Sequence, residues 1–280
     1  MRPVRLIVLG VALLLGAVAA APCSVKAEQE GVRARAGSDY TTYTTPRFTL
    51  YIGSDSKPSE PINADEVAEQ SLKILNTTYE ELSRIFRTQP KRKVVLRFLS
   101  PTEFRRQTGA PEWTSAMYFR DEITIPLTKA NAWERDELHR ALRHEYVHAV
   151  IAELSDYRCP AWLDEGVAQL LEGQINPLLG PALRRWVGLN PAIPLEWLQN
   201  GFTTLESAYV PAAYAQSLFA TRKLIQQHGF QSVTNYLADL RKGVVERKAF
   251  ERSFYRPKAQ FERELTREMR RWAASREVNP

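Results

Sequence analysis

The sequence predicts an α+β fold, in which a small mixed sheet near the N-terminus is followed by a mostly helical C-terminal lobe. Before residue 126, short segments show the alternating or continuous apolar pattern of strands. After residue 132, apolar residues recur at helical spacing over most of the chain. Strands early and helices late indicate an α+β architecture. Residues 46–280 have the length of a single domain with two lobes around a cleft.

The first 27 residues are typical of an export signal. Arg2 and Arg5 precede an apolar run without charges, residues 6–21, and small residues follow it. Because these sixteen residues are fewer than the roughly 20 that span a bilayer, we expect cleavage, with an uncleaved anchor as the alternative. Cys23 leaves a lipoprotein as a further alternative. The sequence therefore predicts a periplasmic or extracellular protein.

The local patterns predict the elements in order along the chain. Residues 28–45 lack a periodic apolar pattern, so a flexible tether is expected there. The predicted strands are 48–52, 94–99, 117–119 and 123–125, the last two forming a pair around residues 120–122. The predicted helices are 67–86, 132–154, 161–173, 180–188, 213–228, 231–242 and 257–275.

The segment HEYVH, which contains His144, Glu145 and His148, is the most informative pattern in the chain. Positions four apart on a helix lie on one face, so both imidazoles can bind the same metal ion. Glu145 lies where a carboxylate can take a proton from metal-activated water. The uncharged Tyr146 and Val147 agree with a buried helix. This pattern predicts a catalytic zinc site; two unrelated histidines on a surface helix are the alternative.

A catalytic zinc needs a third protein ligand, and the other histidines are poor candidates for it. The metzincin continuation is excluded because Ile151 and Leu154 occupy the positions of its glycine and its third histidine. His139 is rotated away from the metal face of the same helix. His228 lies in the last turn of a predicted helix, where a histidine favourably caps carbonyl groups. A carboxylate is the expected third ligand.

The segment after Pro160 offers that carboxylate on a second predicted helix. Glu165 precedes Gly166, and a glycine inside a helix costs about 1 kcal/mol relative to alanine. A close approach of two backbones would explain this glycine. Glu153, on the first helix, and Glu172, two turns beyond Glu165, are the alternatives at this stage.

The HEYVH segment and PAWLDEGVAQ, residues 160–169, together resemble the gluzincin clan of zinc peptidases, most closely the peptidase MA-like proteins of bacteria. The segment YAQSLFATRKLIQQHG, residues 214–229, is also similar to that family. The resemblance covers about residues 45–230 and implies a zincin-like fold with one Zn²⁺ ion. It also implies that Glu165 is the third ligand, although its distance from His148 along the chain is shorter than in thermolysin-like enzymes.

Roles are expected for further residues near the site. In zinc peptidases of this clan an edge strand pairs with the extended substrate, which implies this role for residues 123–125; an ordinary core strand is the alternative. Related enzymes place a tyrosine opposite the metal, so Tyr214 is the candidate that stabilises the oxyanion; a tyrosine that serves helix packing is the alternative. Asp164 is expected to orient an imidazole through its second N–H group. Arg143 would place a cation near the metal unless the helix turns it outward.

These residues predict an exported zinc peptidase with Glu145 as general base and a peptide or protein as substrate. A hydrolase of envelope amides, such as peptidoglycan cross-links, would use the same metal chemistry. The third hypothesis is a catalytically silent, zinc-stabilised binding module, against which the intact Glu145 argues. The net charge of +6 is mild, and basic and acidic residues interleave from residue 241 to 276. This pattern does not indicate nucleic-acid binding, and an anionic envelope surface is the better expected contact.

Overall fold

The computed structural model describes residues 32–36, 40–53, 63–110, 114–127, 135–174, 176–202, 205–206, 208–275, 277 and 280. The predicted signal segment and Cys23 lie outside these residues. The strands are β1 (Arg33–Ala36), β2 (Tyr40–Thr44), β3 (Phe48–Gly53), β4 (Val94–Leu99), β5 (Met117–Phe119) and β6 (Glu122–Pro126). The helices are α1 (Ala64–Phe86), α2 (Pro101–Thr108), α3 (Arg135–Ser155), α4 (Ala161–Leu171), α5 (Leu179–Leu189), α6 (Val210–His228), α7 (Phe230–Arg241), α8 (Glu246–Phe254) and α9 (Lys258–Ala273). The predicted α+β fold is confirmed.

The strands form one mixed sheet in the order β1-β2-β3-β4-β6-β5. β3, β4 and β6 are parallel, and the other pairs are antiparallel. β1 and β2 lie in the segment expected to be a tether, so that prediction is wrong for these residues. β2 carries a single fully buried side chain, Tyr43, whose hydroxyl donates a 2.8 Å hydrogen bond to Asp65 of α1. β2 has no clear apolar pattern, and it is held in place by its pairing with β3 and by this hydrogen bond.

Residues 123–125 do not form the edge strand that was expected to bind substrate. They belong to β6, which lies between β4 and β5. A two-residue turn at Arg120 and Asp121 folds β5 back onto β6, pairing Tyr118 with Ile123. β5 is therefore the edge strand at this end of the described sheet.

The face of the sheet that packs on α1 and α3 is apolar. Its buried side chains alternate along the strands, as a half-covered sheet requires. They are Phe48, Leu50, Ile52, Val94, Leu96, Phe98, Ile123 and Ile125. The ring of Phe48 meets the ring of Tyr146 on α3 edge-on, with their centroids 5.5 Å apart. This contact fixes α3 against the sheet, with the segment HEYVH in its middle.

Helices α2 and α8, which are only eight and nine residues long, were not predicted. Ser100 precedes α2, and its side chain accepts a hydrogen bond from the backbone N–H of Glu103. Gly109, in the left-handed conformation, follows the last residue of the helix. Its single buried side chain is Phe104, so the helical apolar pattern is weak. The described part of the helix predicted for residues 132–154 is Arg135–Ser155. In the part of the chain that the structure describes, no helix is long and apolar enough to cross a membrane.

Candidate metal centre

Helices α3 and α4 bring three ligand-type side chains to one point. His144 and His148 lie one turn apart on α3, and their Nε2 atoms are 3.2 Å apart. Glu165, in the second turn of α4, places its Oε2 atom 3.6 Å from His144 Nε2 and 3.9 Å from His148 Nε2. Among the described residues, this is the group of three whose ligand atoms all lie within 4.8 Å of one another.

The spacing and the environment of these atoms fit a zinc ion. With bonds of about 2.0–2.2 Å and tetrahedral angles, neighbouring zinc ligands are separated by about 3.4 Å. The three side chains are only 12–20% exposed. The Oε2 atom of Glu165 is buried without a hydrogen-bond partner, and a buried carboxylate oxygen normally has one. A cation bound between Glu165 and the imidazoles would satisfy this oxygen.

A second layer of carboxylates turns both imidazoles towards this point. Asp164 Oδ1 lies 2.7 Å from His148 Nδ1, and Glu172 Oε2 lies 2.8 Å from His144 Nδ1. Each carboxylate thus holds the Nδ1 side of a ring and leaves Nε2 facing the metal position. Arg140 lies 3.7 Å from Glu172, which is 3% exposed. Glu172, an alternative third ligand from the sequence, instead orients the first histidine.

The carboxylates also set the protonation of the histidines. Burial lowers the pKa of His144, but its contacts with Glu165 and Glu172 outweigh this and raise the pKa well above the ordinary value. Burial likewise lowers the pKa of His148, whereas the charge and hydrogen bond of Asp164 raise it to about 9. Metal binding needs both rings without the proton on Nε2, so it must release protons from this cluster.

Glu145 lies next to the ligands and has a different environment from theirs. It is 8% exposed, and this burial raises the pKa of its carboxyl group. The charges of both histidines and a hydrogen bond with the backbone of Tyr118 act in the opposite direction. A carboxyl group whose pKa is raised towards neutrality, next to a metal position, is suited to proton transfer.

Two further charged residues of α3, Glu153 and Arg143, have structural contacts. Both carboxylate oxygens of Glu153 lie 2.9 Å from the backbone nitrogen of Lys91, and one lies 3.0 Å from that of Arg92. Arg143 donates to the carbonyl of Leu171 and to Glu81, so it turns away from the metal position. Glu153 is therefore not a third ligand. The guanidinium of Arg143, a cation expected near the metal unless the helix turned it outward, is directed towards α1 and the end of α4.

Gly166 allows α4 to lie directly against α6. A Cβ atom at this position would be 2.4 Å from the carbonyl oxygen of Ser217 and 2.0 Å from Thr221 Oγ1. Real Cβ atoms do not approach backbone atoms so closely. The close approach of two backbones, expected from the sequence, is confirmed. Because Glu165 is the preceding residue, this packing positions the third side chain of the cluster.

Tyr214 lies in the second turn of α6. Its ring meets that of Phe202 edge-on, with centroids 4.8 Å apart, and its carbonyl accepts a 3.2 Å hydrogen bond from Gln169 of α4. Burial raises the pKa of Tyr214, and the charges of Glu165 and Glu145 raise it further. The hydroxyl therefore stays protonated as a donor within electrostatic range of both carboxylates.

The chain is similar to known zinc peptidases in sequence pattern and in structure. Residues 106–262, more than half of the chain, match the model of the Peptidase MA superfamily. An M1 zinc metallopeptidase from Deinococcus radiodurans is similar in structure, with 14% identity, a TM-score of 0.41 and coverage of 89% of this chain and 54% of that one. A variant of that enzyme bound to a Tyr-Ser-Ala substrate has 16% identity and a TM-score of 0.40. The match covers 89% of this chain and 53% of that one. The chain spans about half the length of these structures. No curated protein matches it.

Proposed function

The chain belongs to the Peptidase MA superfamily, and from this premise we propose that it is an exported zinc-dependent peptidase. The proposal is carried by the buried Oε2 atom of Glu165, which has no hydrogen-bond partner and lies 3.6 and 3.9 Å from two imidazole nitrogens. A purely structural zinc site would not need the additional buried carboxylate of Glu145 beside it.

The residues of the cluster divide the chemistry among them. His144, His148 and Glu165 would hold one zinc ion, which when bound supplies a Lewis acid that polarises the scissile carbonyl and acidifies water. Glu145 accepts a proton from the attacking water and then passes it to the leaving amine. Asp164 and Glu172 keep the imidazoles oriented. The raised pKa of Glu145 brings it closer to the pH range in which a base also works as an acid.

Strand β5 is the part of the sheet that would align the substrate. In a hairpin with a two-residue turn, the two residues that flank the turn are hydrogen-bonded to each other. The next residue on each strand directs its N–H and C=O groups away from the partner strand. Phe119 and Glu122 close this hairpin, so the N–H and C=O groups of Tyr118 point away from β6. The backbone of Tyr118 lies within interaction range of the Glu145 carboxylate. An extended peptide that pairs with β5 would therefore pass the general base.

Zinc content and peptide cleavage test the proposed function together. Purified protein is expected to bind about one zinc ion per chain and to cleave a mixed peptide library, because the cluster offers three protein ligands and a base. A chelator should remove the metal and the activity, and added zinc should restore both. Elemental analysis and mass spectrometry of the products provide the measurements. Protein that binds one zinc ion yet leaves all peptides intact would contradict peptidase activity and favour a binding module.

Replacing Tyr214 with phenylalanine tests the proposed oxyanion donor. A hydroxyl that donates only in the transition state contributes about 10²–10³-fold to kcat, so Y214F is expected to lose this factor with zinc content unchanged. Steady-state kinetics with elemental analysis measure both quantities. Normal turnover combined with a lower Tm would show instead that Tyr214 serves packing against Phe202.

Export is the second part of the proposal, and it rests on the basic start and apolar run of residues 1–21. The mature protein is expected to begin between Ala20 and Glu28 and to lie in the periplasm or outside the cell. Mass spectrometry of the native N-terminus measures this. Met1 in a membrane fraction would indicate a retained anchor, and a lipid on Cys23 would indicate a lipoprotein.

A further inference from the structure

Two strained turns meet beside the metal-binding helix. Arg120 and Asp121, in the turn between β5 and β6, have φ angles of 47° and 65°. Asp156 and Tyr157, just after α3, have φ angles of 54° and 57°. Side chains other than glycine are uncommon in this left-handed region because Cβ crowds the backbone there. Contacts outside the turns must therefore hold both of them in place.

Arg92 connects the two turns. Its Nη1 atom donates a 2.7 Å hydrogen bond to the hydroxyl of Tyr157 and lies 3.4 Å from Asp121 Oδ2. Its Nη2 atom lies 3.7 Å from Asp156 Oδ1. The backbone N–H of Arg92 donates to Glu153 on α3, at 3.0 Å. A planar guanidinium with five donors in a fixed arrangement can bind the side chains of Tyr157, Asp121 and Asp156 at once.

Tyr118 links this cluster to the catalytic carboxylate. Its hydroxyl donates to Asp121 Oδ1 at 3.1 Å and accepts from the backbone N–H of Asp121 at 3.2 Å. The hydroxyls of Tyr118 and Tyr157 lie close enough to each other to interact electrostatically. The backbone of the same Tyr118 lies within interaction range of the Glu145 carboxylate. One residue of β5 thus lies close to both the end of α3 and the proposed active site.

We propose that Arg92, Asp121 and Tyr157 form a clamp that holds the edge strand β5 in place against α3, ready to pair with an extended substrate. The role is one of positioning, and it rests on the proposed peptidase function. Single exposed ion pairs contribute little, and Arg92 and Asp121 are 36% and 34% exposed. The clamp acts through connectivity: the Tyr157 hydroxyl accepts from the Arg92 guanidinium, which also lies 3.4 Å from Asp121, and Asp121 in turn accepts from the Tyr118 hydroxyl.

Substitution of Tyr157 by phenylalanine removes this shared hydroxyl and keeps the ring. In the zinc-loaded protein, Y157F is expected to exchange the backbone amides of residues 117–124 at least tenfold faster, since local opening becomes easier. KM for a long peptide should rise about tenfold with a smaller change in kcat, because preorganisation of the strand is lost. Zinc content should not change. Hydrogen exchange by mass spectrometry and steady-state kinetics measure these effects.

Tyr255 provides a matched control, because it also has a left-handed backbone, with φ of 52°, and is 82% exposed. Y255F should leave the exchange of residues 117–124 and KM unchanged. Unchanged exchange in Y157F would overturn the clamp, and so would faster exchange with KM unaltered. A zinc-loaded parent protein that cleaves no peptide would contradict the proposed function, whereas the exchange rates would still decide whether the clamp holds β5.

Discussion

Replacement of Glu145 with glutamine is expected to leave zinc bound while kcat falls by about 10²–10⁴-fold, the usual contribution of a general base. The amide has nearly the same shape as the carboxylate, but it cannot accept the proton of the attacking water. Because the side chain is buried, solvent cannot easily replace it. Elemental analysis of the purified variant and single-turnover kinetics on a cleaved peptide measure the two effects separately.

Glu153 provides the matched control for this variant. It is another buried carboxylate of α3, two turns further on, and it accepts hydrogen bonds from the backbone of Lys91 and Arg92. Glu153→Gln should therefore lower Tm and leave kcat near the parent value. If E145Q cleaves peptides at the parent rate, Glu145 is not the base. If E145Q loses its zinc, Glu145 takes part in holding the metal.

Gly166→Ala should disrupt both the packing of α4 on α6 and the metal centre. The added methyl group would meet the carbonyl oxygen of Ser217 at 2.4 Å, and a backbone atom cannot turn away as a side chain can. Overpacking of this kind costs about 1–3 kcal/mol or more of unfolding free energy. Because the neighbouring Glu165 must shift with α4, we expect zinc affinity to fall at least about tenfold, as for other changes in the surroundings of metal ligands.

Gly188 in α5 is the appropriate comparison, since a Cβ there would meet no atom within 4 Å. Alanine at this exposed helical position should be neutral or stabilise the protein by up to about 1 kcal/mol. Thermal unfolding and competition with a zinc indicator measure the two variants. A Gly166→Ala protein with the parent Tm and zinc affinity would show that the two helices have room to separate.

The sequence was most informative where local spacing alone determines geometry. The four-residue spacing of His144 and His148 places both rings on one helix face whatever the rest of the fold does. Gly166 indicated a close helix contact because a glycine inside a helix needs a compensating reason. Glu165 could be separated from its competitors only through the resemblance to known peptidases. The assignment of catalytic roles to these residues stays a prediction.

Features that depend on distant contacts could not be predicted in the same way. Glu172 lies seven residues after Glu165, and only the packing of α4 against α3 shows that it holds the ring of His144. The pairing of β5 with β6 was predicted, but the sequence did not show which of the two strands lies at the edge. That choice depends on the parallel pairing of β6 with β4, more than twenty residues earlier in the chain.

The three side chains of the metal cluster come from two helices that meet different parts of the molecule. α3 packs on the sheet, whereas α4 packs on α6 through Gly166. A single ion would therefore act as a cross-link between the sheet-bearing and helical portions. By mass action, free metal at about 100 times its dissociation constant adds about 2.7 kcal/mol to the free energy of unfolding. When free metal is scarce, the protein would lose this stabilisation together with its reactive centre.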